Sequence, residues 1–284
     1  MHNSSNPLAK HFREPKLYIR LPSRGNFYGP GSINIPETGE FAILAMTAKD
    51  ELKLKTPDAL MNGQATVDVI QSCVPEIKNA WDVPSIDVDA ILIAIRIATY
   101  GDKMEVNVNV PGINEERKYD IDLVRLLDLL NEQEYSNTLE VGAFKIETAP
   151  LDYRGFTQTA IKTFEERRLF SVVNDDSMSD ADKLQKFNES FERITDLNIG
   201  IVSRSVKSIS FGDEPPVTNP EFINEFFENT DKDVYKAVID HIELQRSKFT
   251  IKPFVVPTSP EDQAAGAPAE YAVPISFDQS NFFA

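Results

Sequence analysis

Residues 85–101 read Ser-Ile-Asp-Val-Asp-Ala-Ile-Leu-Ile-Ala-Ile-Arg-Ile-Ala-Thr-Tyr-Gly, and this stretch organises the predicted fold. Ser85 is a candidate N-cap, the two aspartates after it suit the positive end of a helix dipole, and Gly101 supplies a left-handed stop. Nearly every side chain between these ends is apolar, which predicts a helix over residues 86–100 that is buried on most of its surface. The helix is too short to span a bilayer, which needs about 20 apolar residues.

The residues that follow this helix alternate between apolar and polar side chains, which is the period of a β-strand. The alternation runs from Met104 to Val110, stops at a turn, and resumes from Tyr119 to Leu123. Two such runs around a turn predict a β-hairpin over residues 104–123. A second hairpin is predicted over residues 249–278, with a mobile loop between its strands because residues 257–268 are rich in Pro, Ala and Gly.

The order of predicted elements indicates an α+β protein with two helical subdomains, each carrying one hairpin. We expect an extended N-terminal arm over residues 1–40 and a first α+β domain over residues 41–150. A second, mostly helical domain with the C-terminal hairpin follows over residues 151–284, because Pro150 is the best candidate for a boundary.

Two segments of the second domain carry further patterns. A helix is predicted from residue 180 to about residue 197, and one apolar face of it is formed by Leu184, Phe187, Phe191 and Ile194. Residues 199–211 have a β-like pattern, which predicts a strand there.

The N-terminal segment holds turn residues beside aromatic ones. It reads Leu-Pro-Ser-Arg-Gly-Asn-Phe-Tyr over residues 21–28 and cannot form a core by itself. It therefore either lies over its own domain or reaches a neighbour, where Arg24, Phe27 and Tyr28 are candidate contact residues because aromatic and arginine side chains anchor interfaces. If the arm is separate, a chain without residues 1–30 should still fold as a monomer.

Composition excludes several classes of protein. The chain has 284 residues and a formal net charge of −16, without the concentrated basic patch that phosphate contacts require, so no nucleic-acid partner is predicted. Its single cysteine, Cys73, allows no intrachain disulfide and suits a reducing cytoplasm. The first residues lack the apolar core of a signal peptide, and no stretch predicts membrane insertion.

Residues that could carry catalysis or bind a metal are few. No catalytic or phosphate-binding motif occurs, and a metal site needs several ligands that converge. Cys73 ends an apolar helix and is expected in the core rather than as a nucleophile. The chain has three histidines, which are His2, His11 and His241. We therefore predict no enzymatic activity, no metal and no cofactor.

Three charged residues of the central region have two interpretations each. Asp120 and Asp122 share one strand face, which favours a solvated face over an acid–base pair. Arg96 lies near the end of the buried helix, where a cation is favoured and its stem can reach the surface. A ligand-binding role for Arg96 is the alternative.

The sequence resembles the T4-type bacteriophage baseplate hub subunit and hub-assembly family. The resemblance is carried by Leu-Pro-Ser-Arg-Gly-x-Phe-Tyr at residues 21–28 and by Met-Thr-Ala-x-Asp-Glu at residues 46–51. It continues through Asn62-Gly63 and residues 89–101, and the ending Phe-Asp-x-Ser-x-Phe-Phe at residues 277–283 is also similar. The match is strongest over residues 21–123.

This resemblance implies a non-enzymatic structural component of a contractile phage tail, located in the virion baseplate and synthesised in the host cytoplasm. It implies a hub subunit that takes part in hub and baseplate assembly through other hub and tail proteins, with copies of itself as a further candidate partner. Arg24, Phe27, Tyr28, Phe282 and Phe283 are the candidate contact residues. The alternatives are a transient chaperone for the hub or tape-measure protein, absent from the mature virion, and, more remotely, a hydrolytic enzyme.

The sequence departs from that family at the tips of the hairpins. Relatives often carry Cys-x-x-Cys pairs there, which form a zinc-ribbon-like knuckle. Here the first tip reads Pro-Gly-Ile-Asn-Glu-Glu over residues 111–116, and the second hairpin has residues 257–268 in its place. Without thiolates the knuckle is degenerate, so the hairpins are expected to bind no zinc and to be held by packing alone.

Overall fold

The computed structural model describes residues 7–56, 63–113, 115–172 and 180–275. Within these ranges helices are combined with small antiparallel sheets, which confirms the predicted α+β class. The buried apolar side chains of these described ranges gather in three clusters. In the described part of the chain, no helix has the length and apolarity needed to cross a membrane.

Helices and short strands follow one another along the whole described chain. The helices are α1 (Ala48–Leu54), α2 (Gln64–Cys73), α3 (Ser85–Tyr100), α4 (Leu123–Asn131), α5 (Tyr153–Val172), α6 (Asp180–Arg204), α7 (Pro220–Asn229), α8 (Lys232–Lys248) and α9 (Pro260–Ala264). The strands are β1 (Pro15–Ile19), β2 (Phe41–Leu44), β3 (Lys103–Asn109), β4 (Glu116–Asp122), β5 (Thr138–Val141), β6 (Phe144–Thr148), β7 (Val206–Phe211), β8 (Phe254–Pro257) and β9 (Glu270–Val273).

Helix α3 is the centre of the largest cluster, as predicted from its apolar run. Ile91, Ile93 and Ile95 are fully buried, and the helix packs against α2, α4 and the β1–β2 sheet. The prediction of Ser85 as N-cap is wrong by one residue, because Pro84 holds that position and Ser85 is the first helical residue. The helix ends at Gly101, whose φ of +100° favours glycine.

Helices α1 and α4 begin at caps that the chain itself supplies. Thr47 and Asp50 form a reciprocal capping box at the start of α1, in which each side chain accepts from the other residue's backbone N–H. Asp122 caps α4 by accepting from the backbone N–H of Arg125 at 3.1 Å. The structural role of Asp122 is therefore a helix cap rather than one half of an acid–base pair.

The described part of the N-terminal segment lies over the chain's own first cluster. Strand β1 pairs with β2 in an antiparallel sheet, with Leu17 opposite Ile43. Leu21 is fully buried in the same cluster as α3. Of the two arrangements left open by the sequence, the described residues adopt the first.

The second cluster lies between the three-stranded sheet β5–β6–β7 and helices α6, α7 and α8. Ile146 of β6 and Val238 of α8 are fully buried there. The predicted strand over residues 199–211 is wrong in its first half, because α6 continues to Arg204 and β7 begins only at Val206. The apolar residues of 199–204 lie on the last turns of α6, and those of 206–211 lie on β7. The period of the pattern therefore changes from helical to strand-like within the predicted segment.

The two hairpins predicted in separate domains pack against each other. Strands β3 and β4 pair antiparallel, as do β8 and β9. Between the two pairs lies the third cluster, in which Val110 and Val273 are buried beside Tyr271. The prediction of a mobile loop over residues 257–268 is wrong, because Ser259 caps α9 within it and Pro260 takes a first-turn position.

Candidate interaction surfaces

Asp87 of α3 holds the segment of residues 21–28 in place, and we call this arrangement the Asp87 clasp. Its carboxylate accepts hydrogen bonds from the backbone N–H of Ser23 at 2.7 Å, from the Ser23 hydroxyl at 2.5 Å and from the Tyr28 hydroxyl at 3.0 Å. Asp87 is fully buried. A buried carboxylate needs such partners, because an unpaired one would be strongly destabilising.

Burial dominates the protonation of this clasp. It raises the pKa of Asp87 to about 6, although the hydrogen bonds from Ser23 and Tyr28 act in the opposite direction. Burial, together with the adjacent Asp87 carboxylate, also raises the pKa of Tyr28 far above its ordinary value. From the sequence, Asp87 was expected only as a favourable charge at the start of the helix. Its hydrogen bonds to Ser23, 64 residues away along the chain, were not predicted.

The clasp brings the three predicted contact residues Arg24, Phe27 and Tyr28 together on one loop. The exposed Arg24 side chain donates through Nη2 to the carbonyl oxygen of Asn131 at 2.5 Å. The Phe27 ring meets the ring of Tyr135 edge-on, with centroids 5.2 Å apart. The structure therefore uses all three within the chain, and their contact with another protein stays a prediction.

The backbone of this loop is unusual. Arg24 has a φ of +56° and Phe27 a φ of +71°, a region that bulky side chains seldom adopt. Such strain persists only where surrounding contacts over-determine it, and the clasp provides those contacts. The other predicted contact residues, Phe282 and Phe283, lie outside the described residues.

The outer faces of α5 and α6 leave large aromatic side chains in solvent. Phe164 of α5 and Phe191 of α6 are each 60% exposed. Phe156, about two turns before Phe164, is also exposed. The sequence predicted Phe191 on one apolar face of this helix with Leu184, Phe187 and Ile194, and that shared face stays a prediction; the described residues leave Phe191 exposed. Exposed aromatic faces of this kind mark surfaces for protein contact.

The junction of the two hairpins is tied by polar groups as well as by apolar packing. Arg117 of β4 reaches Asp262 of α9 through two nitrogens, at 2.7 Å and 3.3 Å. The hydroxyls of Tyr119 and Tyr271 also share a hydrogen bond. This forked pairing fixes the orientation of one hairpin on the other.

Side chains that could carry chemistry are engaged in structural contacts. Cys73 is buried, and burial raises the pKa of its thiol to about 11, which disfavours the nucleophilic thiolate. His241 hydrogen-bonds the carbonyl oxygen of Ser136 at 3.0 Å. In residues 7–56, 63–113, 115–172 and 180–275, no group of three or more His, Cys, Asp or Glu side chains could hold a metal ion.

An open cleft of about 610 Å³ lies between α5, α6 and α7. Its lining mixes both signs of charge, with Lys162 and Arg193 beside Glu165 and Asp196. Ser203 also lines this cleft, and its hydroxyl is hydrogen-bonded to the Asn224 side chain at 3.0 Å. Among the described lining residues there is no histidine to act as its base.

Arg96 is buried near the end of α3. Its guanidinium lies over the ring of Tyr100, with 5.3 Å between the guanidinium carbon and the ring centroid. Burial lowers the pKa of Arg96. This cation–π contact is a structural role that the position near the helix end predicted only in part.

The chain was compared with protein families, curated proteins and solved structures. The model of the family described as "T4 bacteriophage base plate protein" matches residues 32–255, well over half of the chain. No curated protein and no solved structure matches it.

Proposed function

Because this chain belongs to the T4 bacteriophage base plate protein family, we propose that it is a subunit of the baseplate hub and takes part in hub and baseplate assembly. Membership makes it a structural baseplate protein. The place in the hub and the part in assembly are our proposal, in which its partners are other hub and tail proteins.

The observation that carries this proposal is the exposed aromatic surface of α5 and α6. A chain that remained alone would leave Phe164 and Phe191, each 60% exposed, permanently in water. Apolar side chains on such faces are the anchors that bury when subunits associate. A hub subunit fits this surface because its neighbours would cover it in the finished particle.

We propose that the chain acts by binding rather than by catalysis. The family is described by a structural part of the particle, and the buried Cys73 and the bonded His241 support this. A hydrolytic role that used Ser203 in the cleft of α5, α6 and α7 would need a base beside it, whereas its hydroxyl is hydrogen-bonded to the Asn224 side chain at 3.0 Å.

The clasp loop supplies a second proposed contact. Arg24 is exposed and donates through Nη2 to the Asn131 carbonyl oxygen, whereas the Tyr28 hydroxyl is bonded to the buried Asp87 and the Phe27 ring packs on Tyr135. We propose that Arg24 is the partner-facing residue of this loop and that Phe27 and Tyr28 hold its shape. Phe282 and Phe283 are proposed as a further anchor on sequence grounds alone.

The proposal is tested by quantitative mass spectrometry of purified virions beside the infected-cell lysate. A hub subunit is expected at a fixed, low copy number per particle. Abundance in the lysate with absence from particles would instead identify a transient assembly chaperone and would overturn the hub proposal.

A variant with Phe164→Ser and Phe191→Ser tests the surface that carries the proposal. We expect reduced incorporation into virions with an unchanged melting temperature, because both side chains are exposed in the isolated chain. The matched control is Leu244→Ser on α8, a side chain 58% exposed on another element. Equal incorporation of both variants would show that the α5–α6 face is not the contact.

A further inference from the structure

An apolar pocket of about 260 Å³ opens between β7, the turn that follows it and α7. We call it the Phe222 pocket, and its apolar lining includes Phe144, Phe211, Val217, Phe222, Ile223 and Phe226. For comparison, an apolar cavity of about 150 Å³ can hold a benzene molecule. The pocket therefore has room for one aromatic side chain.

Contacts within the chain keep this pocket open and in shape. The ring of Phe144 meets the rings of Phe211 and Phe226 edge-on, with centroids 5.1 Å and 5.3 Å apart. The turn is joined to β7 by reciprocal backbone hydrogen bonds between Ile209 and Val217, at 2.8 Å and 3.0 Å. Because its walls are preformed, a ligand would lose little free energy to ordering them.

The rim of the pocket is solvent-exposed and mixes apolar with acidic side chains. Every residue from 211 to 222 is exposed, and Phe222 is 58% exposed at the mouth. The floor is different, because Ile223 and Ile209 are buried. An exposed rim above a buried floor is the form of a site that accepts a side chain from outside.

The charge around this mouth has one sign. Residues 208–231 contain no lysine or arginine, and the acidic residues there are Asp213, Glu214, Glu221, Glu225, Glu228 and Asp231. Glu214 lines the pocket itself. Among the described residues, none of these six carboxylates forms an ion pair. Their field is therefore available to a ligand of opposite charge.

We propose that the Phe222 pocket binds a lysine- or arginine-rich segment of a partner protein that inserts one aromatic side chain. The apolar lining selects the aromatic ring, and the surrounding carboxylates select the basic residues beside it. This choice of occupant rests on charge complementarity, which also steers the approach of the two proteins. The inference deepens the proposed function, on which it rests for a partner within the same particle.

The test is fluorescence anisotropy of a labelled peptide, Lys-Arg-Phe-Lys-Arg, titrated with the full chain at low salt. Replacing the peptide phenylalanine by alanine should weaken binding about tenfold, because the ring no longer fills the pocket. Replacing its four basic residues by glutamate should abolish binding. Raising the salt concentration should weaken binding of the original peptide, because salt screens the attraction between exposed charges.

Variants of the chain locate the site. Phe222→Ser should weaken binding of the original peptide about tenfold. Phe164→Ser, which changes a similarly exposed side chain on α5, should leave the affinity unchanged. Glu214→Gln with Glu221→Gln should weaken it at low salt and less at high salt. Equal binding of the phenylalanine and alanine peptides, or indifference to Phe222→Ser, would overturn the proposal.

Experiments on the same purified protein distinguish two other possible occupants of the pocket. A chain truncated after Ile275 that binds the peptide more than about tenfold tighter would place its own C-terminal segment in the pocket and overturn the proposal. Concentration-dependent dimerisation that Phe222→Ser abolishes would do the same in favour of a second copy. Peptide binding is measured on the isolated chain, so its failure is distinguishable from failure of virion incorporation.

Discussion

At the scale of single residues, Asp87 of α3 is the side chain to which the segment of residues 21–28 is hydrogen-bonded. It is fully buried, and it orients the loop that carries Arg24, Phe27 and Tyr28 through three hydrogen bonds. One carboxylate thus connects the central helix to the N-terminal segment.

Replacing Asp87 with alanine should lower the free energy of unfolding by about 2–4 kcal/mol, because the backbone N–H and hydroxyl of Ser23 would lose their acceptor in a buried site. Urea denaturation measures the change. The control is Asp128→Ala, since Asp128 is exposed on α4 and should contribute less than about 0.5 kcal/mol. Equal effects of the two variants would contradict the clasp.

The pKa of Asp87 predicts how stability depends on pH. Because burial raises this pKa to about 6, above the ordinary aspartate value of 3.8, the native state binds more protons than the unfolded state between these values. The stability contributed by the protonated group is present below pH 4 and is lost as the pH rises through about 6. Asp87→Asn cannot ionise, so its stability relative to the parent should increase from pH 4 to pH 7. Thermal melts of both proteins across this range measure the difference, and parallel curves would exclude the shift.

At the scale of elements, the two hairpins are held by each other. Val110 and Val273 are buried at their junction, and Arg117 pairs with Asp262. The sequence predicted both hairpins and predicted packing without a metal as their support. It assigned them to different domains, however, and that division stays a prediction.

Gly112 tests this junction, because its φ is +85° and an added Cβ would lie 2.6 Å from the carbonyl oxygen of Gly266. Gly112→Ala should lower the free energy of unfolding by about 2–4 kcal/mol, through backbone strain together with separation of the hairpins. Hydrogen exchange of the β8 and β9 amides should accelerate as well.

The matched control for this glycine is Gly142, in the turn between β5 and β6. It has a φ of +59°, but nothing lies within 4 Å of an added Cβ. Gly142→Ala should therefore cost about 1 kcal/mol of backbone strain alone and leave β8 and β9 protected. If Gly112→Ala lowers the free energy of unfolding no more than Gly142→Ala and leaves β8 and β9 protected, the two hairpins do not approach each other closely at Gly112.

At the scale of the whole molecule, the N-terminal segment is part of the first core. Ile19 and Leu21 are buried with α3, and Arg13 donates to the carbonyl oxygens of Ala45 and Ser72, each at 2.5 Å. Removing this segment would expose the core and leave Asp87 without its donors. An arm that can be removed without loss is inconsistent with these contacts.

A chain lacking residues 1–30 should therefore fail to unfold cooperatively, because burial of Ile19 and Leu21 alone contributes about 1.5–3 kcal/mol for each side chain. A chain lacking residues 1–12 is the control, since it keeps β1 and Arg13. Circular dichroism melts distinguish the two. If the chain lacking residues 1–30 melts cooperatively at a temperature near that of the full chain, the interpretation of residues 1–30 as a separate arm would be supported instead.

Strands β5 and β6 show in the sequence the alternation of apolar and polar residues that is typical of a hairpin. The run Thr-Leu-Glu-Val, the turn at Gly142 and the run Phe-Lys-Ile-Glu-Thr form a hairpin with Leu139 opposite Ile146. Its period and its glycine turn are the same signals that predicted the β3–β4 hairpin. This element could have been predicted, whereas its third strand, β7, joins from about 60 residues further along the chain.

The sequence by itself determined the features that arise within a few residues: the buried helix α3, the capping box of Thr47 and Asp50, and the hairpin β3–β4. Their causes are side-chain period and local hydrogen bonds, which act between neighbours along the chain. Only the tertiary structure decided which apolar faces are covered, so that Phe191 is exposed while Leu21 is buried. It also decided that Ser23 meets Asp87 across 64 residues and Arg117 meets Asp262 across 145. Such pairs depend on how the whole chain closes on its core, and no local pattern specifies which distant residue will arrive.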